Sequence, residues 1–245
     1  MKKIKLIALD MDGTLLNDDG VVSPYTHDII QQALAQGTEV VLSTGRPLPM
    51  CSTFAEELKL PSYIITSNGA EIWTVNHELI DRHPLEVEQI KRLWQLGYER
   101  NLHMWIVATD QVFVNRQRPE NFEDHVWLKL GYGNLTEKVK RDLLSDLEHI
   151  EEIEITNSSL TNLEVNRAGV NKANAINFIC KRLNISMEEV MAIGDSLNDL
   201  KMIEQAGIGV AVKNAQQLII ESADYVTETN NDNGVAKAIE KYVLD

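Results

Sequence analysis

The stretch Ile4-Lys5-Leu6-Ile7-Ala8-Leu9-Asp10-Met11-Asp12-Gly13-Thr14-Leu15 decides how this chain is read. Residues 4–9 are apolar and β-prone, the pattern of a buried strand. Asp10 and Asp12 follow at its carboxyl end, where open α/β sheets place their ligand crevice. Gly13 lets the backbone turn sharply there, so both carboxylates can enter one crevice. Two carboxylates this close suit a hard cation, or a nucleophile and an acid. The plainer alternative is an acidic turn after a strand. With ordinary residue frequencies, Asp-x-Asp-Gly-Thr arises by chance in roughly one chain in several hundred of this length.

Outward from that stretch, strands and helices alternate. Ser23-Pro24 opens a helix to about residue 36, with Gly37 as its stop. Residues 40–43 form a second strand, followed by Thr44-Gly45-Arg46-Pro47 and a helix to about residue 58. Residues 63–66 form a third strand, ending at Ser67-Asn68-Gly69. After residue 72 the pattern changes. Hairpin-like strands at 73–75, 78–80, 104–108, 111–115, 152–156 and 163–166 accompany long helices at 87–101 and 137–148. The βα alternation then returns, with helices at 172–183, 197–205 and 235–242 and strands at 190–193, 208–212 and 223–226. The expected architecture is an α/β protein: a doubly wound, parallel-sheet, Rossmann-like core interrupted by an α+β domain. The core is expected at residues 1–83 and 169–245, and the insert at 84–168.

Three further elements fall at β→α junctions. Thr44 ends the second strand, where its hydroxyl and nearby N–H groups can hold a phosphoryl oxygen, or merely begin a helix. Lys172 opens a helix after a glycine-containing loop; a lone lysine there is ordinarily a solvated charge. In Gly194-Asp195-Ser196-Leu197-Asn198-Asp199 the two acids stand at i,i+4, so both can face one side as the helix starts. Capping alone would also explain them. One crevice can collect all four elements.

These residues resemble the haloacid dehalogenase superfamily of phosphatases, and within it the Cof-like branch. Asp10-Met11-Asp12-Gly13-Thr14-Leu15 is similar to its first motif and Thr44-Gly45-Arg46 to its second. Lys172 matches the third, and Gly194-Asp195 through Asn198-Asp199 the fourth. Ser67-Asn68-Gly69-Ala70 and Asn214-Ala215 also resemble features of the branch, whereas Ala173 and Lys213 stand where glycine is frequent. The resemblance implies a Mg²⁺-dependent phosphomonoester hydrolase working through an aspartyl-phosphate, on small phosphorylated metabolites such as sugar phosphates. It implies Asp10 as nucleophile and Asp12 as general acid and base. Thr44, Gly45, Arg46, Lys172 and Asn198 would bind the phosphoryl group or the substrate. Asp10, Asp12 (through its carbonyl), Asp195 and Asp199 would form the metal site, with Asp199 orienting Lys172 or a metal-bound water. The insert would be a specificity cap. Its Trp94, Trp105 and Trp127 then either pack or stack on a ring, and its His103 and His125 have no metal spacing. A phosphomutase of the same superfamily and a receiver-like phospho-signalling module are the competing readings. The module would be about half this length, with its acids on different strands.

Charge narrows the partners. The 245 residues carry 23 Lys plus Arg against 37 Asp plus Glu, a formal charge of −14. Nucleic-acid backbones and anionic membranes are polyanions and so are not expected as partners. A small phosphomonoester is, provided a cation offsets the acids. The N-terminus starts like a secretory leader, but its apolar run stops at Asp10, too early for one, and no run approaches ~18–20 apolar residues. Cys51 and Cys180 have no metal or redox spacing. The expectation is a cytoplasmic protein, monomeric or weakly dimeric.

Overall fold

The computed structural model describes residues 3–115 and 117–244. Met1 and Lys2, where the leader-like stretch begins, lie outside the described residues, as do Arg116 and Asp245.

In chain order the first half comprises β1 (Leu6–Leu9), α1 (Pro24–Ala35), β2 (Glu39–Ser43), α2 (Ser52–Glu57), β3 (Tyr63–Thr66), β4 (Glu71–Thr74), β5 (Leu79–Arg82), α3 (Val87–Glu99), β6 (His103–Ala108) and β7 (Val112–Val114). The second half comprises β8 (Trp127–Gly133), α4 (Glu137–Leu147), β9 (Ile153–Thr156), β10 (Leu163–Arg167), α5 (Lys172–Leu183), β11 (Val190–Gly194), α6 (Leu200–Gln205), β12 (Ile208–Ala211), α7 (Gln217–Ser222), β13 (Tyr225–Val226) and α8 (Gly234–Ile239).

The larger sheet runs β13-β12-β11-β1-β2-β3-β4-β5, parallel from β13 to β3, with β4 and β5 an antiparallel extension. β1 sits where the strand order reverses: the chain leaves it towards β2, and returns on its other side at β11. That switch point opens a crevice at the carboxyl end of β1. Helices cover both faces. Ile7 and Leu9 of β1 pack with Ile30 of α1 and Ile239 of α8, while Leu6 and Ala8 pack with Ile176 and Ile179 of α5. Each large apolar side chain withdrawn from water here contributes about 1.5–3 kcal/mol.

Local signals explain the helix ends. The Ser23 side chain accepts the Thr26 N–H, Pro24 occupies the first turn, and Gly37 takes φ +83° beyond the end of α1. Asn171 caps α5 by accepting the Asn174 N–H, and Asn184 ends it in the left-handed region. The helix expected after Pro47 is split into a 3₁₀ turn at Leu48–Met50 and the short α2, because two prolines interrupt the run.

The smaller sheet is antiparallel, in the order β7-β6-β8-β10-β9, with α3 and α4 on one face. Its other face meets the larger domain where Val107 and Leu128 pack against Ala70 and Val170. It forms a cap over the crevice. Its central strand, β8, is the element that sequence patterning misses. All seven of its residues are buried, and Lys129, Gly131 and Gly133 interrupt what would otherwise read as an apolar strand. The six-residue α7 was also not expected, being too short to show a helical period. Among the described residues no helix is long and apolar enough to cross a membrane.

Candidate active site

β1 continues one residue beyond its last strand position: the Asp10 N–H donates to the Ile193 carbonyl at 3.0 Å. Met11 then turns into the core, fully buried, and fixes the loop. Gly13 takes φ +80°, and a Cβ there would stand 3.0 Å from Asp195 Oδ2. Both the conformation and the close approach exclude a side chain. The Asn214 side chain ties the same turn down by donating to the Gly13 carbonyl at 2.8 Å.

At the end of β11, Asp199 Oδ2 accepts the N–H groups of Asp195 and Ser196 at 2.9 and 3.1 Å. Its Oδ1 accepts from Lys172 Nζ at 2.6 Å, and the same ammonium donates to Asp10 Oδ1 at 2.5 Å. Lys172 is wholly buried between the two carboxylates. Carboxylate oxygens of Asp10, Asp195 and Asp199 all lie within 4.8 Å of one another. Thr14 and Ser196 hydroxyls donate to Asp195 at 3.2 and 2.7 Å.

The charges do not balance: three crowded acids face one ammonium. Burial, and then repulsion from Asp199, pushes the Asp10 carboxyl well above the usual range. The same two causes push Asp195 up to about 6. Burial alone would depress Lys172, but Asp10 and Asp199 hold it above its ordinary value. An all-oxygen, desolvated, over-acidic cluster with no His or Cys fits a hard divalent cation such as Mg²⁺. Asn198, whose Oδ1 is a buried acceptor with no partner among the described residues, lines the cavity beside this cluster.

Asp12 stands apart from that cluster. Its side chain is 59% exposed and is held by a fork from Arg46, whose Nε and Nη2 donate to its two oxygens at 2.9 and 2.5 Å. That bidentate geometry fixes the carboxylate plane. Arg46 is itself placed by Phe54, over whose ring it lies at 5.6 Å, and by the Met50 carbonyl at 3.1 Å. Thr44 is fully buried; its hydroxyl accepts the Arg46 N–H at 3.1 Å, so its own proton is available as a donor. The structure thus brings Asp10, Lys172, Asp195 and Asp199 into direct contact, with Asp12, Arg46, Gly45 and Asn198 around the adjoining cavity.

That cavity holds about 510 Å³ and lies between Asp10 and Asp12 below and Trp105, Val107, Val112 and Val114 above. Its polar side is a core–cap bridge that sequence reasoning did not find. Lys129 Nζ donates to the Gly45 carbonyl at 2.8 Å and to Glu164 at 3.1 Å. Asn68 and Ser158 also donate to Glu164, at 2.7 and 3.0 Å. Burial pushes the Glu164 carboxyl up, but Lys129 and these donors outweigh it and hold it below the ordinary range. Asn68 and Ser67 both take positive φ to make this contact, and Asn166 donates to the Ser67 carbonyl at 3.0 Å. A charged residue inside an apolar strand run, as at Leu128-Lys129-Leu130 and Leu163-Glu164-Val165, was the available signal.

Other expected features fall elsewhere. Trp94 and Trp127 belong to the cap's own core, with the Trp127 indole N–H donating to Phe122, whereas Trp105 lines the cavity. His125 pairs with Asp110, and Lys213 is exposed beside Glu228. Burial pushes the Cys51 and Cys180 thiols up to about 12 and about 11, which removes both as nucleophiles at neutral pH. A second opening of similar volume lies on the outer helical face of the cap, at Lys91, Trp94 and Arg118, remote from the acidic cluster.

The chain is similar to known proteins over nearly its whole length. A family model described as haloacid dehalogenase-like hydrolase matches residues 7–138 and 119–239. The chain is 47% identical over 241 residues to 5-amino-6-(5-phospho-D-ribitylamino)uracil phosphatase of Bacillus subtilis (strain 168), covering 98% of this chain and 96% of that protein. Its structure resembles that of a haloacid dehalogenase-like hydrolase from B. subtilis with a TM-score of 0.89 at 26% identity, covering 97% and 99% of the two chains. It shares its fold with a subclass IIB sugar phosphatase of that superfamily, with a TM-score of 0.86 at 24% identity and coverage of 97% and 98%.

Proposed function

Since the chain belongs to the haloacid dehalogenase-like hydrolases and is a phosphatase, we propose that it hydrolyses small phosphomonoesters with Mg²⁺, through a phosphorylated Asp10. The observation that carries this reading is the buried Asp10–Lys172–Asp199 contact beside Asp195 at the switch point of the sheet.

Asp10, Asp195 and the Asp12 main-chain carbonyl would hold the ion. When bound, Mg²⁺ supplies charge neutralisation that lets an anionic carboxylate approach an anionic phosphoryl group. Lys172 and the Thr44 hydroxyl then hold phosphoryl oxygens, and most of the catalysis is such positioning and electrostatics. Asp10 attacks phosphorus, and the bond to the leaving oxygen breaks. Asp12, entering in its protonated form, would give that proton to the leaving oxygen; the carboxylate left, the form that the Arg46 fork grips, would take one from the water that hydrolyses the aspartyl-phosphate. Arg46 keeps Asp12 pointed at the leaving group, and Asp199 keeps Lys172 pointed at Asp10. Closure of the cap excludes bulk water from these steps.

The relative at 47% identity acts, by its name, on 5-amino-6-(5-phospho-D-ribitylamino)uracil. We take that compound as the candidate substrate; its phosphorylated ribityl end is close to the sugar-phosphate class that the family resemblance implies. The two-domain fold and the paired acids on one strand end leave no support for a receiver-like module. A mutase would return an isomer rather than phosphate. The protein is read as cytoplasmic and as a monomer or weak homodimer, acting on small anions rather than nucleic acid or membranes.

The test is phosphate release from this compound with and without Mg²⁺. Release that requires Mg²⁺ and disappears in Asp10→Asn is expected. Metal-independent release, or isomer formation without release, would overturn the proposal.

A further inference from the structure

The ceiling of the cavity is divided by the register of the cap sheet. In one cross-strand row Glu164 of β10 lies opposite Gly131 of β8, Gly131 opposite Trp105 of β6, and Trp105 opposite Val114 of β7. In the next row Lys129 lies opposite Val107, and Val107 opposite Val112. Side chains in such rows share one face of a sheet. The ceiling is therefore charged under β8 and β10 and apolar under β6 and β7.

Trp105 is the large side chain of the apolar half, and glycines set its pose. A Cβ on Gly131 would stand 2.1 Å from two carbons of the Trp105 ring, and one on Gly133 would stand 3.0 Å from a third. The indole lies against bared backbone. Glycine inside a strand weakens it and marks a close approach by a ligand or another group; here the group is Trp105. The ring is half-buried and lines the cavity, unlike the indoles of Trp94 and Trp127.

We infer that Trp105 is a specificity-determining shelf, on which a planar π ring carried by the leaving alcohol stacks, while the polar stem joining ring to phosphate runs along the Lys129–Glu164 side towards Asp12. The preferred substrate class is a phosphomonoester of an amphipathic alcohol, with a hydroxylated stem and a flat ring at the far end. This rests on the phosphatase reading and adds the residue that selects within it.

The full-length protein is assayed with Mg²⁺ on two compounds, 5-amino-6-(5-phospho-D-ribitylamino)uracil and D-ribitol 5-phosphate, which share the phosphorylated stem but not the ring. Wild-type protein is expected to prefer the ring-bearing compound. Trp105→Ala is expected to lose about 10- to 100-fold in kcat/KM on that compound, mostly in KM, as for truncation of an aromatic stacking partner. On D-ribitol 5-phosphate it should lose less than about threefold, which also shows that the variant is folded. Trp105→Phe should recover most of the loss. Equal losses on both compounds, or no loss on either, would overturn the shelf and leave Trp105 as packing between cap and core. Release from both compounds with no preference for the ring in wild-type protein would overturn it alone. No release from either by wild-type protein would overturn the proposed substrate together with the shelf.

Discussion

Lys172 is the residue on which the charge balance of the site turns. It is a wholly buried ammonium between Asp10 and Asp199. Replacing it with methionine keeps the length but strands two buried carboxylates, a change that costs about 3–5 kcal/mol for pairs of this kind. Lys172→Met should therefore lower the urea midpoint as well as abolish turnover; an inactive variant with unchanged stability would show that the pair is not the buried contact described. The acids make a second claim. Asp195 rises from 3.8 to about 6, and Asp10 rises with it. In that window the folded state binds more protons than the unfolded one, so stability falls as pH rises from about 4 to 6. For Asp195 alone the effect is on the order of 3 kcal/mol. Mg²⁺ favours the ionised carboxylates, so it should raise Tm more at pH 7.5 than at pH 5. Thermal melts at both values check this; a larger Mg²⁺ effect at pH 5 would contradict it. Asp10, Asp12, Lys172 and Asp195 were legible because each follows a local apolar strand or opens a helix. Lys129 and Glu164 were not, because the groups that explain them include Gly45 and Asn68, which lie on the other domain.

At the scale of elements, the cap is held to the core by polar groups as well as apolar ones. Lys129 joins the Gly45 carbonyl on the loop after β2 to Glu164 on β10. Lys129→Met leaves Glu164 buried with only neutral donors and should destabilise the protein by about 3–5 kcal/mol. The double variant Lys129→Met, Glu164→Leu should recover much of that loss, because apolar replacement of a buried pair is often near neutral. A double variant as unstable as the single one would show that the bridge does not act as a pair. Because Glu164 is held below 4.5, its contribution is present above that pH and lost as the solution becomes more acid. The elements most legible in the sequence carried their own punctuation, such as Ser23-Pro24 and Gly37 around α1. β8 carried none. It is central to the cap sheet, buried on both faces, and interrupted by a lysine and two glycines whose reasons are a partner loop and the ring of Trp105.

At the scale of the whole molecule, −14 is compatible with a phosphate substrate because the acids are spread over both parts of the chain. Residues 84–168 carry 10 basic against 15 acidic side chains and the remainder 13 against 22, so the charges are 10 − 15 = −5 and 13 − 22 = −9. Asp10, Asp195 and Asp199 meet at one crevice under the cap, where Lys172 offsets only part of their charge. On the proposed mechanism the carboxylate of Asp10 becomes phosphorylated there. That step is tested most directly by acid quench of the Asp12→Asn variant during turnover of p-nitrophenyl phosphate with Mg²⁺, followed by peptide mass mapping. One phosphoryl group is expected on the peptide containing Asp10, and none when Asp10 is also replaced by Asn. Phosphate release by wild-type protein with no phosphoryl group ever trapped on Asp10, and with full turnover retained by Asp10→Asn, would contradict it.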